Sequence, residues 1–252
     1  MVKRYAVRLG LAALTALFVL SLRDVGLLDF TRLRRGLRNL GIFFQDMFPP
    51  DSDVVSELVR ALLETLQIAF VGTVLGFALA LPLALLATAS LAPPFLTAPV
   101  KLVLAVIRTI PSILWAIIFV VAVGLGPAAG TLGIALYTVG FLGKNLYELF
   151  EGVDSEVLEA VRGVGGGRAQ LARWALLPEA ANGIISQLLF MFEYNVRASS
   201  ILGFVGAGGI GFYLLGYVQL LEYRSLLTAI LVTLCAVLVI DRASSALRAA
   251  LR

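Results

Sequence analysis

Long uncharged runs alternate with short charged segments along this chain. No charged residue lies between Glu64 and Lys101, and the next uncharged run extends from Arg108 to Lys144. An α-helix needs about 20 mostly apolar residues to cross roughly 30 Å of hydrocarbon, because no water is present there to satisfy the backbone. The pattern therefore predicts an all-α integral membrane protein. We expect about six transmembrane helices, at residues 8–22, 63–88, 97–123, 128–149, 179–204 and 225–243.

The first predicted span is the shortest. Only 14 uncharged residues, 9–22, follow the basic start Met1-Val2-Lys3-Arg4, a pattern that also describes a signal peptide. No A-x-A-like cleavage site follows, so we expect a retained anchor whose Arg8 and Arg23 reach the two membrane interfaces. Residues 1–62 then form an N-terminal anchor with an interfacial segment, and residues 63–245 form the main transmembrane domain.

A long segment, residues 24–62, separates the first two predicted spans. Its apolar residues are interleaved with arginines, which is typical of an amphipathic helix lying in the membrane interface. We expect this helix to end before Pro49 and Pro50. The alternative is a poorly ordered loop. The apolar positions are Phe30, Leu33, Leu37, Leu40, Ile42, Phe43 and Met47, and the arginines are Arg32, Arg34, Arg35 and Arg38.

The composition agrees with a location in the bilayer and excludes several common kinds of catalytic and metal site. The 252 residues are 60% hydrophobic and 14% charged, with a mean hydropathy of +0.97. Histidine is absent and Cys235 is the single cysteine, which excludes zinc clusters, histidine general bases and intrachain disulfides. We therefore predict no catalytic residue, metal site or cofactor in this chain.

The positions of the basic residues predict the orientation. Basic residues near span ends favour the cytoplasmic side, so we expect a cytoplasmic N-terminus and attribute the net charge of +4 to this bias rather than to a nucleic-acid partner. The arginines of residues 24–62 are an exception, and long segments obey the rule poorly. The residues placed in the cytoplasm are Lys3, Arg4, Arg8, Lys101, Arg162, Arg168, Arg173, Arg242, Arg248 and Arg252.

One internal segment, residues 151–178, is too polar to be buried in lipid. Asp154 or Ser155 can cap a short helix, the glycine-rich stretch 163–167 can end it, and residues 168–176 can form a second helix. Two short helices around a glycine turn form a compact cytoplasmic element. Because it is joined directly to two spans, it can transmit the motion of a docked partner into the bilayer.

This segment resembles a known motif. Glu159-Ala160-Val161, Gly165 and Leu177-Pro178 have the spacing of the EAA loop of type I, binding-protein-dependent ABC importer permeases, with Val161 and Ala175 as the two departures. The resemblance implies a homodimeric membrane subunit that docks a cytoplasmic ATPase dimer through these residues and receives cargo from a periplasmic or lipid-anchored binding protein. It also implies that ATP and Mg²⁺ are bound by the partner ATPase; the nearest approach to a P-loop here, residues 140–145, has the wrong spacing.

A second region resembles permeases of the phosphonate type. It has a Glu-x-Asn-x-Arg core, a glycine-rich stretch after it, and Arg-Thr-Ile-Pro and Gly-Lys segments upstream; Ser112 departs from the acidic residue that many relatives have after Ile-Pro. The resemblance implies inward transport of phosphonate or a related oxyanion, phosphite or phosphate, across a bacterial inner membrane. The residues expected at the pathway or gate are Arg108, Pro111, Lys144, Glu193, Asn195, Arg197, Gly206, Gly208 and Gly209.

Charged groups inside spans normally pair or face a wet interior, because each costs roughly 2.5–3.5 kcal/mol on insertion scales. Glu193 and Arg197 are four residues apart on one helix face, so they either pair with each other or contact a passing anion. Arg108 either lines the pathway, pairs with Glu193 or caps backbone carbonyls, and Lys144 has Glu148 one turn away.

The glycine series 203–211 allows two interpretations. Glycine permits positive φ angles, which suits a broken, gate-forming segment on the outer side, and it also permits close helix packing. Tyrosines and a phenylalanine follow at the predicted outer interface, namely Phe212, Tyr213, Tyr217 and Tyr223.

Three other functions remain open at this point. The EAA loop is shared across importers, so a permease for methionine or another small organic solute is the nearest alternative. An integral membrane enzyme acting on lipid phosphates would need a nucleophile or base that the sequence does not provide. An ion-driven transporter would be expected to have internal repeats, and we find none.

Overall fold

The computed structural model describes the backbone of residues 2–250 and the side chains of residues 7–250, so Lys3, Arg4 and Arg252 lie outside the described side chains. All regular elements in this range are helical, which confirms the all-α prediction. The chain divides into two compact units, residues 1–49 and 50–252. The helices are α1 (Val2–Asp24), α2 (Phe30–Met47), α3 (Val55–Ala87), α4 (Pro94–Thr109), α5 (Ser112–Val123), α6 (Pro127–Glu151), α7 (Ser155–Gly163), α8 (Arg168–Leu171), α9 (Leu177–Leu202), α10 (Ile210–Gln219) and α11 (Tyr223–Ala250).

The first unit consists of α1 and α2. The Asp29 carboxylate caps α2 by accepting a hydrogen bond from the Arg32 backbone N–H over 2.9 Å. Helix α2 ends at Met47, before Pro49, as the sequence predicts. These residues therefore form a helix and not the poorly ordered loop that was the alternative. Its location in the membrane interface stays a prediction, as does the functional boundary at residue 62.

In the second unit, α6 packs against four other helices, α3, α4, α5 and α9. Glycines at these crossings allow the backbones to approach closely. A Cβ atom on Gly76 of α3 would lie 2.8 Å from the Ala135 carbonyl oxygen, and one on Gly133 would lie 2.8 Å from the Ala116 Cα atom. Because backbone atoms cannot move out of the way as side chains can, only glycine fits at these crossings.

Three helical segments within the described residues are long and apolar enough to cross a membrane: residues 55–87, 168–205 and 223–250. The α4–α5 pair makes a fourth if it counts as one span. The total of six spans stays a prediction.

The third predicted span, 97–123, is not one continuous helix. It is broken at Ile110 and Pro111, and α4 and α5 meet at 89°. Pro111 has no N–H to continue the α4 hydrogen bonds, and its ring disfavours the helical conformation for the residue before it. Ile110 is accordingly extended, with φ −88° and ψ 120°.

The fifth predicted span begins earlier than expected. Instead of a separate short helix over residues 168–176, α8 continues through a π-helical turn (Ala172–Leu176) directly into α9. Pro178 does not interrupt the helix, because it occupies the first turn of α9 where a backbone N–H has no required partner. The polar segment 151–178 is therefore joined to α9 without a flexible connection.

Candidate coupling surface and translocation pathway

Helix α7 carries the residues expected to couple the chain to an ATPase. Asp154 caps it by accepting a hydrogen bond from the Glu156 N–H over 3.2 Å, as the sequence predicts. Glu159 and Ala160 are exposed, and Val161 is partly buried. Leu158 packs against the helix bundle, so the opposite, exposed side of α7 is the side available for contact with a partner.

The glycines after α7 fix the angle at which the chain leaves it. Gly165 has a φ of +82°, and its N–H donates to the Arg162 carbonyl over 2.9 Å. The Gly166 N–H donates to the Val161 carbonyl over 3.0 Å, and a Cβ atom on Gly166 would lie 2.5 Å from that oxygen. The two positions therefore need glycine for different reasons, one for its backbone angle and the other for space.

The two halves of the EAA pattern have different environments. Glu159 and Ala160 are exposed; in the second half Ala175 is almost fully buried, Leu177 is half-buried and Pro178 is exposed. Leu176 packs in the core cluster that includes Phe150 at the end of α6. The first half can therefore act as a docking surface, and the second half attaches it to the helix bundle.

A polar cluster that the sequence pattern does not reveal connects the end of α6 with α4 and with the turn between α3 and α4. The Glu151 carboxylate accepts a hydrogen bond from the Ala89 N–H over 3.2 Å and pairs with Lys101 Nζ at 2.8 Å. The Arg162 guanidinium reaches the Ser90 carbonyl oxygen at 3.5 Å. The segment that carries α7 is thus linked to the turn between α3 and α4.

Glu193 is a buried carboxylate with two arginine partners. Its side chain is 7% exposed and lies 2.7 Å from Arg248 Nη1 and 3.7 Å from Arg197 Nη2. Arg197 also lies 3.6 Å from Asp241. The predicted Glu193–Arg197 pair is therefore present, but the closer partner comes from α11. The alternative in which Arg108 pairs with Glu193 is wrong, since Arg248 occupies that role.

Arg108 has no ion-pair partner within the part of the chain that the structure describes, and its side chain is exposed. It lies in the last turn of α4, where a cation is favoured by the helix dipole. Pro111 caps α5 at the break, and the Trp115 indole N–H donates to the Ile107 carbonyl over 3.1 Å. Lys144 pairs with Glu148, as the four-residue spacing predicts.

Asn195 joins three helices rather than lining an open space. It is fully buried, and its Nδ2 donates to Thr73 Oγ1 of α3 over 2.8 Å and to Thr138 Oγ1 of α6 over 2.9 Å. Such hydrogen bonds between helices in an apolar environment are worth about 0.6–2 kcal/mol each. The structure therefore gives Asn195 a role in holding α3, α6 and α9 together.

The glycine-rich segment between α9 and α10 is a break with tight packing on both sides. Gly206, Gly208 and Gly209 all have φ between +77° and +82°. The Gly126 N–H donates to the Gly206 carbonyl over 2.8 Å, and a Cβ atom on Gly203 would lie 2.2 Å from the Phe212 nitrogen. The segment thus combines positive φ angles at some glycines with close packing at others, and its role as a gate stays a prediction.

Glu64 anchors this segment and was missed by sequence reasoning. Its carboxylate accepts a hydrogen bond from the Gly209 N–H over 2.8 Å, and the neighbouring Thr65 Oγ1 accepts one from the Ile210 N–H over 2.8 Å. The two side chains satisfy backbone donors at the start of α10, where the helix dipole also favours a negative charge.

A cavity of about 290 Å³ lies between α5 and α9. Its polar lining residues are Ser112, Tyr194 and Arg197, and its apolar ones are Ile113, Ala198, Ile201 and Leu202. Of the predicted pathway residues, Arg197 is the one that faces this space, and Ser112 is the position that departs from the phosphonate-type pattern.

Comparison with protein families and with curated proteins finds several similar transport proteins. The family described as "Binding-protein-dependent transport system inner membrane component" matches residues 72–252. The phosphite transport system permease protein PtxC of Stutzerimonas stutzeri is 36% identical over 225 residues, covering 89% of this chain and 82% of that protein. The phosphate-import permease protein PhnE of Mycolicibacterium smegmatis is 37% identical over 84% of this chain, but the match covers 40% of that protein.

Solved structures share the fold. The inward-facing MetNI methionine ABC transporter is similar with a TM-score of 0.70 and 25% identity, over 80% of this chain and 99% of that chain. A bacterial ABC transporter for alginate is similar in fold, with a TM-score of 0.59. The similar proteins are transport subunits, which favours a transporter over a lipid-phosphate enzyme and confirms the resemblance to ABC importer permeases. The chain therefore belongs to the family of inner membrane components of binding-protein-dependent transport systems, the permease subunits of ABC importers.

Proposed function

We propose that the chain is the permease of an ABC importer for a small phosphorus oxyanion, either a phosphonate, phosphite or phosphate. The observation that carries this proposal is the 36% identity to a phosphite permease over 89% of the chain. Two copies assemble in the bacterial inner membrane with cytoplasmic N-termini. They receive cargo from a binding protein and pass it inward when the ATPase partner binds and hydrolyses ATP.

The exposed side of α7 is the proposed docking surface for the ATPase. Beside the exposed Glu159 and Ala160, two apolar side chains are unusually accessible, Val164 at 87% and Trp174 at 64%. An exposed tryptophan is a typical anchor of a protein interface. Since Trp174 belongs to the π-helical turn that continues into α9, a partner bound there acts directly on a transmembrane helix.

Arginines and glycines support the proposed translocation pathway. The exposed Arg108 and Arg197 offer guanidinium groups, which bind phosphorus oxyanions in bidentate geometry. The break at Gly206, Gly208 and Gly209 is the proposed outer gate, because a segment without helical hydrogen bonds can rearrange at lower cost than a continuous helix.

Reconstitution in proteoliposomes with the co-purifying ATPase and binding protein tests this function. We expect ATP hydrolysis to rise when the binding protein is loaded with phosphite, phosphate or methylphosphonate, and the loaded anion to enter the vesicles. Purified permease without the ATPase should not hydrolyse ATP. Stimulation by L-methionine without any response to the three anions would contradict the proposed cargo.

Methionine is the second candidate cargo. The observation that favours it is the TM-score of 0.70 with the MetNI methionine transporter. Its 25% identity is lower than the 36% identity to the phosphite permease, which is why we place the phosphorus oxyanion first.

A further inference from the structure

We propose that the cavity between α5 and α9 is a transient subsite for the oxyanion, in which the Arg197 guanidinium and the Ser112 hydroxyl bind the oxygens. This inference rests on the proposed function and assigns that function to particular atoms. The cavity of about 290 Å³ is close to the lower end of small-ligand pockets, about 300 Å³, and is large enough for phosphite or methylphosphonate.

Arg197 is the arginine with the longer contacts in the ionic cluster around Glu193. Its contacts with Glu193 and Asp241 are long, 3.7 Å and 3.6 Å, and 47% of its side chain is exposed. Glu193 has a much closer contact with Arg248, at 2.7 Å. Glu193 therefore keeps a partner when Arg197 turns toward an anion, and the rearrangement does not leave a buried charge unpaired.

Ser112 supplies a second polar group on the opposite side of the cavity. Its residue is 8% exposed and lines the cavity, so its hydroxyl can donate a hydrogen bond to an oxyanion that enters there. Ser112 is also the first residue of α5, where backbone N–H groups lack partners within the helix and the dipole favours an anion.

The remaining walls suit the apolar part of the ligand. Ile113, Ile201 and Leu202 line the cavity, so a phosphorus atom with a hydrogen or a short alkyl group can place that substituent against them. With one guanidinium and few donors, the subsite binds weakly enough to release the anion inward, as a transport pathway requires.

Arginine-selective dicarbonyl labelling of the permease–ATPase complex in nanodiscs, read by peptide mass spectrometry, tests the subsite directly. Millimolar phosphite or methylphosphonate should protect Arg197, and chloride at the same ionic strength should not. Arg242, an exposed arginine of α11, serves as the reference and should stay unprotected. Equal labelling of Arg197 with and without phosphite, or equal protection of Arg242, would overturn the subsite.

Uptake by the reconstituted complex gives an independent test. Arg197→Gln should lower phosphite uptake about tenfold because a charge-assisted bidentate contact is lost, Arg197→Lys should have an intermediate effect, and Arg242→Gln should resemble wild type. If Arg197→Gln fails to assemble, Ser112 provides the test: Ser112→Ala, which removes the hydroxyl, should lower phosphite uptake about fivefold, whereas Ser112→Thr, which keeps a hydroxyl, should retain most of it.

The two proposals fail in different ways. A wild-type complex that takes up none of the three phosphorus anions contradicts the proposed function. A wild-type complex that takes up phosphite, together with Arg197→Gln and Ser112→Ala variants at wild-type rates, leaves that function standing and refutes the subsite alone.

Discussion

Replacing Arg248 with glutamine removes the close partner of a buried carboxylate. Glu193 is 7% exposed, and its contact with Arg248 Nη1 is 2.7 Å long, one ångström shorter than its contact with Arg197. Arg248→Gln keeps a hydrogen-bond donor but removes the positive charge. We therefore expect the variant to destabilise the packing of α11 on α9.

The magnitude follows from burial and from the remaining partner. Breaking a buried ion pair by removing one member costs about 3–5 kcal/mol. Here 28% of the Arg248 side chain is exposed and Arg197 can move closer to Glu193, so we expect a loss of about 2–3 kcal/mol. For a domain of this size, that corresponds to a decrease in Tm of roughly 4–12 °C.

Thermal unfolding of the purified complex, followed by tryptophan fluorescence, measures this effect. Arg242→Gln on the same helix is the matched control and should shift Tm little, since Arg242 is exposed. The double variant Glu193→Gln/Arg248→Gln should recover most of the loss, because no buried charge is left unpaired. The reasoning is refuted if Arg248→Gln resembles Arg242→Gln, or if the double variant is less stable than the single one.

Three further predictions concern coupling, pathway and gate. Glu159→Ala or Gly165→Trp should abolish substrate-stimulated ATP hydrolysis while the membrane domain stays folded; normal stimulation in both variants would contradict docking through α7. Arg108→Gln should impair uptake more than assembly, and wild-type uptake kinetics would remove Arg108 from the pathway. Glu64→Gln should weaken the cap of α10 by about 1.5 kcal/mol, so that amide hydrogen exchange at Gly209 accelerates about tenfold; unchanged exchange would rule out this anchoring role.

Features set by short stretches of sequence could be predicted. Asp154 caps α7 and the glycines after it end the helix, because capping and left-handed turns depend on residues within a few positions of each other. The break at Gly206–Gly209 was foreseen for the same reason. The pairs Glu193–Arg197 and Lys144–Glu148 follow from the four-residue helical spacing.

Partners that are distant in sequence could not be predicted. Arg248 is 55 residues from Glu193, and Glu64 is 145 residues from Gly209. A charge at such a separation finds its partner only after the helices have packed, and no local pattern encodes that packing. In the sequence, Glu64 marks only the beginning of an uncharged run. Nothing near it in the sequence shows that its carboxylate caps another helix.

The 89° break at Pro111 shows the limit of hydropathy. Residues 109–143 carry no charge, so the pattern contains no sign of the bend. Proline alone does not identify it either, since Pro82 lies inside α3 and Pro99 inside α4. What distinguishes Pro111 is its supporting contact, the hydrogen bond from the Trp115 indole to the Ile107 carbonyl, which satisfies a backbone acceptor that the broken helix leaves open.

The strengths of the contacts indicate which parts of the molecule move together. The Lys101–Glu151 pair is about one-third exposed and is worth at most about 1 kcal/mol, so the link between the α7 segment and the α3–α4 turn can rearrange during transport. The buried hydrogen bonds of Asn195 are shielded from water and hold α3, α6 and α9 as one body. We therefore expect a displacement of α7 to reach the cavity through α9, because α9 continues the segment after α7 through the π-helical turn and carries Arg197.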